Sequence, residues 1–212
     1  MRKLKDNRSR NFLPRAALAL TGMLAVAGCA APGSQRPAAV EMKDEHGFMI
    51  TEEVRVSPEV RADFEQAMRL LEQEQYHQGI ALMAKVTERA PEATAAHIDL
   101  GIAYRKVGEL EQAEASIKRA LRLNPRHPVA HNELGMLYRR MGRFSEARAH
   151  YQQALSVYPG FHYARRNLAV LCDIYLADLE CALENYQLYA EAVPEDAEAA
   201  MWIADLRNRA GR

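Results

Sequence analysis

From Pro58 onward, apolar residues recur three and four positions apart, the spacing of a helix with one buried face, and each such run stops near a proline. Pro91, Pro125, Pro159 and Pro194 follow one another at intervals of 34, 34 and 35 residues. Proline disfavours the helical conformation in the residue before it, so these positions predict helix ends. Within the first two intervals the pattern breaks once more, at Gly108 and Gly142, where a residue without a Cβ can take the left-handed conformation that closes a helix. The pattern therefore predicts pairs of antiparallel helices. The stretch LGIAYRKVGELEQA, from Leu100, is nearly rewritten as LGMLYRRMGRFSEA, from Leu134.

Small residues recur where two helices of a pair must cross closely. Ala67, Gly101, Gly135 and Ala169 on the first helix are answered by Gly79, Ala113, Ala147 and Ala182 on the second. Leu100, Leu134, Leu168, Tyr104 and Tyr138 fill the seam beside them. No pair can bury its apolar face alone, so neighbouring pairs must stack.

At family spacing, Leu100, Gly101, Tyr104, Gly108, Ala113, Ala120 and Pro125 resemble the tetratricopeptide-repeat pattern. Leu134, Gly135, Tyr138, Gly142, Ala147, Tyr151, Ala154 and Pro159 resemble it again. The resemblance implies an all-α, right-handed superhelix of four helical hairpins: about 60–93, 94–127, 128–161 and 162–196. A capping helix at about 197–210, with Met201, Trp202 and Leu206 on its covering face, completes a domain spanning 57–212. The first unit matches less closely, through Ala67, Leu70, Tyr76, Gly79 and Pro91. The fourth departs further. Cys172 stands in place of the tyrosine, the turn glycine is missing, and Leu168 to Ala182 is one residue longer than its counterparts. A remodelled corner is expected there. Ser57 followed by Pro58 predicts the first helix start.

Composition adds an asymmetry. The chain has 28 basic and 28 acidic residues, yet residues 1–28 carry Arg2, Lys3, Lys5, Arg8, Arg10 and Arg15 against Asp6 alone. The remainder is mildly acidic, which gives no electrostatic reason to expect nucleic-acid binding. The basic start precedes the apolar run AALALTGMLAVAG. That run falls short of the roughly 20 residues a membrane span needs, and suits a secretory signal. It ends in VAGCA, which resembles the bacterial lipobox. The resemblance implies a signal peptide over 1–28 and acylation of Cys29, palmitate among the acyl chains. Because residue 30 is alanine and not the retention aspartate, it also implies the periplasmic face of the outer membrane. Residues 29–56 read as a flexible tether, with room for a short strand or docked segment within 47–56.

Two cysteines then remain, Cys172 near the end of one helix and Cys181 near the start of the next. Antiparallel helices bring such positions together, so a disulfide is expected in an oxidising compartment. No glycine-rich phosphate loop, H-E-x-x-H or G-x-S-x-G occurs in the sequence. His127 and His131 lie four apart, and His97 and His131 occupy equivalent repeat positions. These read as packing positions. The chain is read as a non-enzyme with no metal and no cofactor.

The resemblance also implies that the first helix of each pair lines a concave, partner-binding side. That surface would carry Ile98, Ile102 and Arg105, then Asn132, Met136 and Arg139, then Tyr163, Arg166 and Val170. An apolar stripe edged by a row of arginines, Arg105 beside Arg139, suits a protein segment with apolar anchors and some acidic character. The chaperone-type carboxylate clamp is not matched, because Ile98, Ile102, Glu133 and Tyr163 occupy its places. The expected function is a lipid-anchored periplasmic adaptor for an envelope machine. Lipoproteins of this build include pilotins of the type IV pilus and adaptors that gather peptidoglycan enzymes. A non-catalytic subunit or regulator of a cell-wall enzyme is the second reading, and self-association through the tether the third.

Overall fold

The computed structural model describes residues 38–43, 49–54 and 56–211. The signal peptide and Cys29 lie outside the described residues. The chain divides into two compact units, Met1–Ser57 and Pro58–Arg212.

In the first unit, β1 (Ala38–Lys43) pairs antiparallel with β2 (Met49–Val54), in a register running from Ala38 opposite Val54 to Lys43 opposite Met49. The strand allowed within 47–56 is therefore β2. β1 lies upstream, in sequence read as flexible tether. Val40, Ile50, Thr51 and Val54 are β-branched, which favours paired extended backbone over coil.

The second unit is all helical. Its pairs are α1 (Pro58–Glu72) with α2 (Tyr76–Arg89), α3 (Thr94–Val107) with α4 (Leu110–Leu123), and α5 (Pro128–Arg140) with α6 (Phe144–Val157). α7 (His162–Val170) and its π-helical extension Leu171–Tyr175 pair with α8 (Leu179–Ala192), and α9 (Ala197–Arg209) covers the end. The prolines act as the pattern predicts. Each sits second in a tight turn closed by a backbone bond: Ala93 to Ala90, His127 to Asn124, Phe161 to Tyr158 and Asp196 to Val193.

The helix crossings rest on the small residues. A Cβ on Gly135 would fall 2.5 Å from the ring of Tyr151, which is wholly buried. Ala113, Ala147, Ala169 and Ala182 are likewise fully buried at the seams. On α9 the covering residues are Ala199, Trp202, Ile203 and Leu206. Met201 is not among them: its side chain is 63% exposed. The interval Ala199, Trp202/Ile203, Leu206 is one helical stripe, and position 201 lies off it.

Every corner between paired helices contains one left-handed residue: Glu74 (φ 60°), Gly108 (φ 90°), Gly142 (φ 75°) and Ala177 (φ 52°). The final interval is one residue longer, and the π-helical turn absorbs the extra residue. There Leu176 donates its N–H to the carbonyl of Leu171, five back, and Asp178 to that of Cys172. Asp178 then caps α8 by accepting from the Cys181 N–H at 3.1 Å. In that corner Cys172 and Cys181 are joined by a disulfide, with Cα atoms 5.9 Å apart. Cys172 is fully buried.

Candidate functional site: the concave groove

Each helix of a pair packs on the next pair, but the first helices also touch one another, α3 with α5 and α5 with α7. The second helices α4, α6 and α8 have no comparably extensive mutual contact. The first helices therefore sit closer together and line the inner side of the stack.

The floor of that inner face is a hydrogen-bonded ladder. An Arg105 guanidinium nitrogen donates to Glu133 Oε2 at 2.8 Å, and Asn132 Nδ2 to Glu133 Oε1 at 3.4 Å. Asn167 Nδ2 donates to Asn132 Oδ1 at 3.0 Å. The ladder thus crosses three repeats. Asp99, Glu133 and Asn167 occupy one repeat position, 34 residues apart. Asp99 keeps part of its surface accessible, yet burial raises its carboxyl to about 7, seconded by the charge of Glu133.

This geometry corrects the expected apolar stripe with a row of free arginines. Ile98 is only 3% exposed and belongs to the core, and Asn132 is closed into the ladder. Arg105 is paired rather than free: its side chain is 14% exposed and that of Glu133 is 7%. A half-buried cation without a carboxylate would be costly, which explains why the neighbouring repeat supplies one. Ile102, Met136 and Val170 remain partly exposed along the core's inner edge. Tyr163 is half-buried, its ring 4.0 Å from that of His162.

Arg139 and Arg166 differ from Arg105. Arg139 lies over the ring of Tyr175 at 5.9 Å, and Arg166 over that of Trp202 at 5.2 Å. Trp202 in turn packs against Tyr186, the ring centroids 5.1 Å apart and the planes tilted by 41°. Burial pushes the Tyr186 hydroxyl up to about 12, helped by Asp173 and opposed by Arg166, Arg139 and Arg209. The last repeat and α9 thus add an aromatic wall to the groove. Sequence reasoning had given Trp202 a covering role only and passed over Tyr175. Arg105's partner was overlooked too, although a carboxylate 28 residues away, one repeat on, was the available signal.

The histidines have structural partners. His97 and His131 donate from Nε2 to the carbonyls of Pro91 and Pro125 at 3.1 and 3.0 Å, and Arg165, at the same repeat position, donates to that of Pro159. With its Nε2 protonated, His131 accepts at Nδ1 from His150 Nδ1, 3.0 Å away. His127 is wholly buried and caps α5, its Nδ1 accepting from the Ala130 N–H. Cys172, Asp178 and Cys181 cluster together, but the two sulfurs are bonded to each other and offer no thiolate.

A stack of antiparallel helix pairs with a lined, preformed inner face defines an α-solenoid scaffold for protein–protein interaction. Residues 91–160 match the model of the tetratricopeptide-repeat family. No curated protein matches the sequence. Among solved structures, a thermophilic tetratricopeptide-repeat protein of Thermus thermophilus is 26% identical, with a TM-score of 0.61 over 69% of this chain and 80% of that one. Pseudomonas aeruginosa pilF is 20% identical, with a TM-score of 0.65 over 71% and 68%. MamA of Desulfovibrio magneticus RS-1 is 16% identical, with a TM-score of 0.64 over 73% and 87%. These last two likenesses concern the fold.

Proposed function

We propose that the protein is a lipid-anchored adaptor at the periplasmic face of the outer membrane. It holds a segment of a partner protein in its groove during assembly of an envelope machine such as a type IV pilus. The observation that carries the binding role is the inner face of α3, α5 and α7. A ladder from Arg105 to Asn167 pre-builds its floor, and Ile102, Met136 and Val170 keep apolar surface available along it. Preorganisation lowers the ordering cost of binding, and partly open apolar positions provide anchors. The anchor and the location rest on the VAGCA stretch and its resemblance to the lipobox. The pilus assignment rests on the resemblance of this build to pilotin lipoproteins. On this reading the chain is a scaffold and not an enzyme.

Capture and crosslinking from intact envelopes test the groove. Ile102→Asp with Met136→Asp places two charges on the apolar edge and abolishes partner capture while the helical circular-dichroism signal persists. A folded double variant that still captures every wild-type partner sinks the groove reading. Palmitate labelling and membrane fractionation test the anchor: Cys29→Ser loses both label and outer-membrane recovery.

A further inference from the structure

The groove's arginines divide into two kinds. Arg105 is neutralised by Glu133, and Arg209 by Asp173 at 2.7 Å and Asp205 at 3.2 Å. Among the described residues, Arg139 and Arg166 make no ion pair. Each is half-buried, and each lies over an aromatic ring, Tyr175 or Trp202. A cation–π contact favours the guanidinium's place beside the ring without using its N–H groups, which stay available for a planar acceptor. The Nε atoms of both Arg105 and Arg166 are buried without a hydrogen-bond partner, and so is the Tyr151 hydroxyl, which lies within the fields of Arg139, Glu133 and Arg105. Both arginines act on the hydroxyl of Tyr186, so they share one neighbourhood. The other half of the groove lacks this positive excess: Glu133 answers Arg105, and Asp99 lies beside Glu133 with its carboxyl raised to about 7 by burial and by that neighbour.

We propose that Arg139 and Arg166, on their aromatic supports, form a subsite for the acidic side chains of the partner segment. This polarity sets the direction in which the segment lies. Its acidic part sits between α5 and α9, and its neutral or basic part lies over Asp99. The inference rests on the groove being the binding surface and adds the partner's chemistry. Carboxylates fit because planar two-oxygen acceptors match the guanidinium edge, and because a local excess of positive charge steers anions toward the hollow.

The test is selection of random dodecapeptides, displayed without a free C-terminus, on the full chain in detergent. Peptides that also bind the Ile102→Asp/Met136→Asp variant are discarded. The groove-dependent survivors are expected to be enriched in Asp and Glu, and to bind Arg139→Gln/Arg166→Gln at least about 10-fold more weakly. Arg139→Lys/Arg166→Lys retains part of the affinity, because charge survives where the planar fork does not. Trp202 is the only tryptophan in the chain, so its emission reports occupancy of the subsite directly. Survivors without acid enrichment, or acidic survivors that bind the glutamine variant equally well, overturn the subsite and leave the groove reading intact. Failure to recover any groove-dependent peptide overturns both.

Discussion

Arg105 and Glu133, one repeat apart, meet at 2.8 Å on the groove floor with most of both side chains out of water. The pair ties α3 to α5, and through Asn132 the same carboxylate is linked to α7. Removing one partner strands the other charge, whereas removing both leaves only apolar surface to fill. Glu133→Ala is therefore expected to cost about 1–3 kcal/mol. Arg105→Met/Glu133→Leu is expected to cost less than that single change. Urea denaturation of the three proteins checks it, and a double variant less stable than Glu133→Ala contradicts it.

Gly135 faces the ring of Tyr151, with no room for even a methyl group between α5 and α6. Gly135→Ala must push the ring or separate the helices, and is expected to cost about 1–3 kcal/mol. Trimming the ring in a Gly135→Ala/Tyr151→Leu double variant opens the same space. Its loss of stability should fall short of the sum of the two single losses by a measurable coupling term. Simple additivity in thermal melts would show that the close crossing is not the source of the cost.

Much of this fold is written in the chain's periodicity, because the same packing problem is solved in each repeat. Gly135 must be small for the reason Gly101 must be, and Pro125 closes a turn as Pro91 does. Features peculiar to one repeat were harder to read. The longer fourth interval foretold a remodelled corner, but a π-helical turn was only one way of absorbing a residue. The groove was legible as a position on the first helices, while its charge state was not. Whether Arg105 stands free depends on a carboxylate from the next helix, and that is a property of the stack. The hairpin of β1 and β2 gives a weaker signal still, since short strands leave little pattern.

Ala177 holds the left-handed corner conformation that Gly108 and Gly142 hold in the preceding repeats. A Cβ in that region meets the following carbonyl oxygen, at a cost of about 1–2 kcal/mol that glycine escapes, less its greater freedom in the unfolded chain. Ala177→Gly is expected to stabilise the protein by about 0.5–1 kcal/mol. Gly142→Ala should destabilise it by a similar amount. Chemical denaturation with the Cys172–Cys181 bond intact in every sample makes the comparison, and destabilisation by Ala177→Gly would argue against strain at the corner.

Acid stability should be controlled by two histidines. His127 is pushed down to about 4 by burial and then by His131, and His150 to about 4 by burial and then by His131, Lys118 and Arg143, with Glu146 opposing. Both are neutral in the fold for a reason visible in the bonding. His127 must accept at Nδ1 to cap α5, and a second proton on His131 would set two N–H groups face to face across the contact with His150. The unfolded chain takes up these protons near pH 6.5, so between about 6.5 and 4 it binds more protons than the folded one, and stability falls with pH. Each group is expected to contribute on the order of 1–2 kcal/mol to that loss, after allowing for partial solvent access. Asp99 has the opposite sign. Its carboxyl is raised to about 7, so the folded chain binds the extra proton between about 4 and 7 and is stabilised as pH falls through that range. In His127→Asn/His150→Gln, where the asparagine still caps the helix, the loss between pH 6.5 and 5 should disappear and a slight gain on acidification should emerge. Adding Asp99→Asn should flatten that gain. Urea midpoints at pH 7.5, 6.5 and 5 decide the matter: an unchanged acid slope in the double variant would clear these histidines of any role.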